Sequence, residues 1–205
     1  LCGLLAILFF AIDKNKFIAV IKNSRLPQII VHGGLFFVGL GIGLWTYPQN
    51  LNINIFSAAA ALDLSAAIFL AWMASIIIND ISDFSIDAVS NPARPLQEKI
   101  FNVLEYKQLG IILFLLSLLG GLIIGAKFAA LLVIYQFLAW AYSAEPFRLK
   151  KFPLVATFIS SSALLVVLFA GFTLASGDNN LEGLSWRIIL LLLISFTLVL
   201  PLKDF

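Results

Sequence analysis

The chain is poor in every residue that builds a sulfur- or nitrogen-based metal centre. It has one cysteine, Cys2, and one histidine, His32, in 205 residues. A single cysteine excludes a disulfide within the chain and a cluster of thiolate ligands. A single histidine excludes a histidine-rich centre. Any metal ion this chain holds must therefore sit on oxygen, which points to a hard cation. Charge is scarce as well: 12% of residues are charged and 61% are hydrophobic, with a mean hydropathy of +1.05. A soluble domain carries about 25% charged and about 45–50% apolar residues, so this composition excludes one. The chain reads as an integral membrane protein. Its net charge of +2 carries no implication of nucleic acid, because the basic residues sit in short loops beside apolar runs.

Six apolar runs approach the roughly 20 residues that a bilayer crossing needs. They lie at 26–47, 53–79, 107–125, 127–144, 153–175 and 186–202. The expected fold is an all-α, multi-helix transmembrane bundle. Residues 1–16 open with LCGLLAILFFAI and read as an apolar N-terminal remnant, either of a signal peptide or of an earlier span; residues 17–205 read as one domain. Gly33, Gly34, Gly39, Gly41, Gly43 and the alanine run 58–61 suit close helix packing, although membrane composition alone also accounts for any single glycine. Of the 13 lysines and arginines, all but Lys127 and Arg187 fall on one side of this six-span arrangement. The positive-inside rule makes that side cytoplasmic, in the cell membrane if the source is prokaryotic.

The polar chemistry gathers on the same side. Residues 79–98 read NDISDFSIDAVSNPARPLQE, directly behind the second apolar run. If the helix continues, Asn79, Asp83 and Asp87 are four residues apart and Asp80 lies beside them, all within one helical stripe. Three carboxylates on one stripe repel, and Mg²⁺ is the natural hard cation to offset them. Arg94 follows in a Pro-x-Arg-Pro turn and offers a planar fork for phosphate. A solvated Asp-rich loop would not need this helical spacing. A second basic segment, AYSAEPFRLKKFP at 141–153, follows the fourth run. Arg148, Lys150 and Lys151 there suit an anionic headgroup or diphosphate, while Lys151 alone is better read as an ordinary positive-inside charge. The terminus LPLKDF adds Asp204 on the same side. His32 reads as an interhelical hydrogen-bond partner before a residue facing the central cavity near the acceptor, and Asp63 as an interfacial residue.

NDISDFSID with NPARPL resembles the first aspartate motif of the UbiA superfamily of intramembrane prenyltransferases. YSAEPFRLKK is similar to that family's Tyr-Ser-x-x-Pro loop, LPLKDF to the opening of its second aspartate motif, and Arg25-Leu26-Pro27 to its Arg-Pro approach to the first helix. The chain departs from the pattern at Gln97-Glu98-Lys99, where glycine is common, and at Glu145, where proline is. The resemblance implies nine helices, of which six would be visible in a probable fragment, and little of the second aspartate motif. It implies Mg²⁺-dependent transfer of a prenyl group from a polyprenyl diphosphate to a hydrophobic, aromatic or lipid-like acceptor. The expected metal ligands are Asn79, Asp80, Asp83, Asp87 and Asp204. The expected catalytic residues are Asp80, Asp83, Asp87 and Tyr142, with Asn79, Arg94, Arg148 and Lys150 on the diphosphate. Membrane lipid is the expected surrounding and nucleic acid is not a partner.

Two other readings stay open at this level. A cation transporter would use the carboxylates at an entrance, but its charges should lie nearer the midplane. A CDP-alcohol phosphotransferase is also Asp-rich, but needs an Asp-Gly step that is missing after Asp80 and Asp83. The charge split itself is testable. In a Cys2→Ser background, cysteines at Lys99 and Leu149 should label from the same membrane face; labelling from opposite faces would contradict the six-span arrangement.

Overall fold

The computed structural model describes residues 2–50, 54–177 and 183–199, and all regular structure in them is helical. An N-terminal pair, α1 (Cys2–Ile12) and α2 (Lys14–Lys22), precedes the long helices. These are α3 (Leu26–Thr46), α4 (Ile55–Ser82), α6 (Val103–Ile124), α7 (Ala126–Ser143) and α8 (Pro153–Ser176). A short α5 (Phe84–Ser90) follows α4, and α9 (Trp186–Val199) lies against α8. Five of these helices are long and apolar enough to cross a membrane. The sixth run appears as α9, which is shorter over its described length; residues 200–202 and Asp204 lie outside the described residues.

Local signals set the helix ends. Asn54 and Ser57 form a reciprocal capping box at the start of α4, and Asn102 and Glu105 do the same for α6, each satisfying amide groups that no helix can pair internally. Pro27 and Pro153 stand in the first turns of α3 and α8, where a missing N–H loses nothing. With 28 residues, α4 is about 42 Å long at 1.5 Å per residue, more than a hydrocarbon core of about 30 Å. Its polar C-terminal end can therefore stand beyond the apolar layer.

The five long helices close a ring in the order α3, α8, α7, α6, α4, with α4 also touching α7 across it. The α3–α8 seam is tightest. A Cβ on Gly171 would lie 2.0 Å from the Phe36 carbonyl oxygen, and one on Gly39 2.0 Å from that of Leu168. The backbones themselves are in contact, as small residues permit between membrane helices. One buried cluster, around Phe36, Leu64, Phe128, Leu132 and Val167, fills the ring. A second, Met73, Ile76, Ile77, Leu96, Phe101 and Tyr106, supports the polar end of α4. Large apolar side chains such as Trp45, Phe56, Leu62 and Ile123 face outward, the pattern of a lipid-facing surface.

Candidate active site

The aspartate segment is not one continuous helix. α4 stops at Ser82, Asp83 closes it with its N–H donating to the Asn79 and Ile81 carbonyls, and α5 begins at Phe84. The i→i+4 hydrogen bonds of the Asp83 N–H to Asn79 and of the Asp87 N–H to Asp83 nonetheless carry the helical register across the junction. The four polar groups divide between two ion-pair clusters.

The first cluster surrounds Asp80, whose side chain is 1% exposed. Its Oδ1 accepts from Arg94 Nη1 at 2.6 Å and from Arg25 Nη2 at 3.2 Å. Its Oδ2 accepts from Asn23 Nδ2 at 2.6 Å and from the Tyr106 hydroxyl at 3.2 Å. Arg94 Nη1 also bonds to Asp87 Oδ2, and Asn91 Nδ2 donates to Asp87 Oδ1 at 2.9 Å. Asp80 and Asp87 thus share one guanidinium. The Pro-x-Arg-Pro turn delivers Arg94 back onto the helix that precedes it.

The second cluster gathers on Asp83. Arg148 Nη2 donates to Oδ1 at 3.0 Å and Lys150 Nζ to Oδ2 at 2.5 Å. The same ammonium donates to Asn79 Oδ1 at 3.0 Å, which also accepts from the Ser143 hydroxyl at 3.1 Å. Burial pulls the Lys150 pKa below the usual lysine range, against the opposing pull of Asp83. Arg148 keeps a buried Nε without a partner among the described residues. Arg25 and Arg148 both hold left-handed backbone, with φ of 57° and 41°. Such a conformation costs a non-glycine residue of order 1 kcal/mol and persists only where surrounding contacts enforce it. Here the carboxylates that their guanidinium groups grip are such contacts.

No three carboxylate, imidazole or thiol side chains converge on one point among the described residues. Two oxygens do: Asn79 Oδ1 and Asp83 Oδ2 both meet the Lys150 ammonium. A hard divalent ion suits this pair, since Mg²⁺ is held by one or two carboxylates and completes its shell with phosphate and water. Asp80 has all its near donors in place and offers no comparable opening.

A cavity of about 350 Å³ lies between α3, α4, α7 and α8 and touches both clusters, the second through Asn79 and Ser143 and the first through Arg25. Arg25, Asn79, Tyr142 and Ser143 line one part of it, and Trp72, His32 and Tyr135 another. Trp140 packs against Phe137 and Phe147. Arg94 and Asp87 stay with the first cluster.

A model of the UbiA prenyltransferase family matches residues 35–203. The chain belongs to this family. No curated protein sequence matches it. Among solved structures it is similar to a chain from a study of the biosynthesis of digeranylgeranylglyceryl phosphate synthase in membranes, with 24% identity and a TM-score of 0.72. The match covers 89% of this chain and 60% of that one, and at this identity it supports the fold alone.

This UbiA-family site has partners that its sequence hid. Arg25 was visible only as part of an Arg-Leu-Pro step, and Asn23 and Tyr106 carried no signal. Both lie far from Asp80 in sequence, on the α2–α3 junction and on α6. The Asp80 cluster makes a stability prediction. Removing one partner of a buried ion pair costs about 3–5 kcal/mol, so Asp80→Ala should sharply lower the unfolding midpoint in detergent. Tyr106→Phe, which loses one hydrogen bond, should cost about 1–3 kcal/mol. An Asp80→Ala protein of unchanged midpoint would contradict a structural role for Asp80.

Proposed function

We propose that this chain binds the diphosphate in a membrane prenyltransferase that moves a prenyl group from a polyprenyl diphosphate to a hydrophobic acceptor. The observation that carries this is the Asn79–Asp83–Lys150–Arg148 cluster at an apolar, aromatic-lined cavity. It pairs oxygens suited to a hard cation with cations suited to phosphate, at the edge of a dry space. Charges on the cytoplasmic face would meet a diphosphate there while its prenyl tail stays among apolar side chains.

The chemistry is an electrophilic substitution. The bond between C1 and the bridging oxygen breaks, and its electron pair leaves with diphosphate. The acceptor attacks the allylic carbon and later gives up a proton. Asn79 and Asp83 would hold Mg²⁺, which when bound supplies Lewis-acid neutralisation of the leaving group. Arg148 and Lys150, released from Asp83, turn to the phosphate oxygens; positive groups aimed at developing charge act most strongly in a water-poor site. Each ion pair is exchanged for another, so no charge is left bare. Asp80, Asp87 and Arg94 keep the aspartate segment and its turn in place. The Tyr142 ring, with Trp72 and Tyr135 farther along the cavity, offers aromatic faces to an allylic cation. Apolar walls such as Ile76, Leu138 and Ala163 exclude water that would otherwise quench it.

A transporter reading fits less well. The carboxylates are paired with fixed cations at one end of the bundle and do not line a continuous path. The test uses the intact protein in nanodiscs with Mg²⁺, radiolabelled polyprenyl diphosphate and a panel of aromatic and lipid acceptors. Labelled lipid product should form, and should disappear with chelator. Asp83→Ala should lower turnover at least 100-fold while the protein remains folded. Full activity of Asp83→Ala, or turnover that ignores chelator, would contradict the assignment.

A further inference from the structure

We propose that a second cavity, between α2 and the Pro-x-Arg-Pro turn, binds the phosphoethanolamine head of a membrane lipid. It shares no lining residue with the cavity described above, and its ligand takes no part in the chemistry assigned there.

This cavity measures about 790 Å³, within the roughly 300–1,000 Å³ of sites that hold small molecules. Asn15, Ile18 and Lys22 of α2 form one wall, and Pro95, Glu98 and Ile100 form the other. Both walls are anchored. Val20 on α2 is buried in the cluster that supports the polar end of α4, as are Leu96 and Phe101 on either side of Glu98. Gln97 Nε2 donates to the Phe84 carbonyl at 2.7 Å and holds the same segment against α5. The Gln97-Glu98-Lys99 step, where the chain departs from the family pattern, thus brings a carboxylate into this wall.

The charges select the ligand. Lys22 and Glu98 are exposed, and neither forms an ion pair with any described residue, including the other. A purely anionic ligand would be drawn to Lys22 and repelled by Glu98. A purely cationic one would meet the reverse. A ligand with one phosphate and one ammonium satisfies both, each through a charge-assisted hydrogen bond. The ammonium must carry protons, because a primary ammonium has three donors and a trimethylated one has none. Asn23 also lines the cavity; its Nδ2 is spent on Asp80 and Tyr106, which leaves its Oδ1 as a further acceptor for such a donor.

Phosphoethanolamine can arrive as a lipid head or as a free solute, and the position of the site favours lipid. Asn23 bonds to Asp80 near the end of α4, and Lys16 to Glu105 in the first turn of α6, so α2 lies at the polar boundary of the bundle. The preceding α1 exposes Leu4, Ile7, Leu8 and Ile12, apolar surface suited to the acyl boundary. Ile18 and Ile100 continue apolar surface into the cavity itself. A lipid held between Lys22 and Glu98 would join the segments whose Asn23 and Arg94 grip Asp80. A ligand bound by the folded state alone stabilises it.

The test is native mass spectrometry of the intact protein in detergent, with equimolar phosphatidylethanolamine, phosphatidylcholine and phosphatidylglycerol of the same chains. One phosphatidylethanolamine adduct should be retained with about fivefold preference over each of the others. The same lipid should raise the unfolding midpoint. Glu98→Gln should reduce the preference to within about twofold, and Lys22→Gln should weaken the adduct several-fold. Both side chains are exposed and unpaired, so the midpoints of these variants in lipid-free detergent should match the parent. Lys14→Gln, an exposed lysine of α2 outside the cavity, should keep the preference. Glycerophosphoethanolamine, which has the head without the chains, should compete at least about tenfold more weakly. Equal retention of the three lipids, a preference for phosphatidylglycerol, or an undiminished preference in Glu98→Gln would overturn the proposal. So would equal losses in Lys14→Gln and Lys22→Gln, which would mean diffuse attraction to the surface, or equal competition by the chain-free head, which would mean a solute site.

Discussion

One buried carboxylate ties the polar end of this bundle together. Asp80 is on α4, yet its four partners come from the α2–α3 junction, the Pro-x-Arg-Pro turn and α6. A carboxylate so deeply buried is unfavourable unless it is paired and fully hydrogen-bonded. Each partner therefore has a definite place, and with the partners the segments that carry them. Arg94 extends the constraint to Asp87 and so seats α5. The second cluster, on Asp83, is built on the frame that results.

The two clusters divide the labour of the aspartate motif. Asp80 and Asp87 share Arg94. Asn79 and Asp83 share Lys150 and stand beside the cavity. Helical spacing suits this division, because Asn79 and Asp83 are four residues apart and Asp80 and Asp87 seven, and the i→i+4 hydrogen bonds continue across the α4–α5 junction. The fixed cations offset the repulsion among the carboxylates. An ion with its diphosphate would enter by exchanging partners with Lys150 and Arg148.

Much of this was legible in the sequence, and for clear reasons. Apolar run length located five crossing helices to within a few residues, because a bilayer demands a narrow range of lengths. The Asn79–Asp87 segment, Arg94 and the Arg148–Lys150 loop stood out because charge is rare in such a chain. The pairing was not legible. Helical spacing grouped the four polar groups, but which cations each would meet depends on segments that spacing does not encode. Asn23, Arg25 and Tyr106 are brought to Asp80 from 26 to 57 residues away in the chain. The left-handed backbone of Arg25 and Arg148 had no sequence mark, since neither residue is glycine or asparagine. His32 was readable both as an interhelical hydrogen-bond partner and as a residue facing the central cavity; Tyr135 is that partner, and His32 also lines the cavity.

The division of the motif is the central claim, and metal binding tests it most directly. Mn²⁺ affinity, read by electron paramagnetic resonance in the presence of a non-hydrolysable prenyl diphosphate, should be measured on four folded variants. Asn79→Ala and Asp83→Asn should each weaken Mn²⁺ binding at least tenfold with little change in unfolding midpoint. Asp80→Asn and Asp87→Asn should lower the midpoint and leave the Mn²⁺ affinity of the folded fraction within about threefold of the parent. Tenfold or greater loss of Mn²⁺ in Asp80→Asn without loss of stability, or retained binding in Asp83→Asn, would contradict the account.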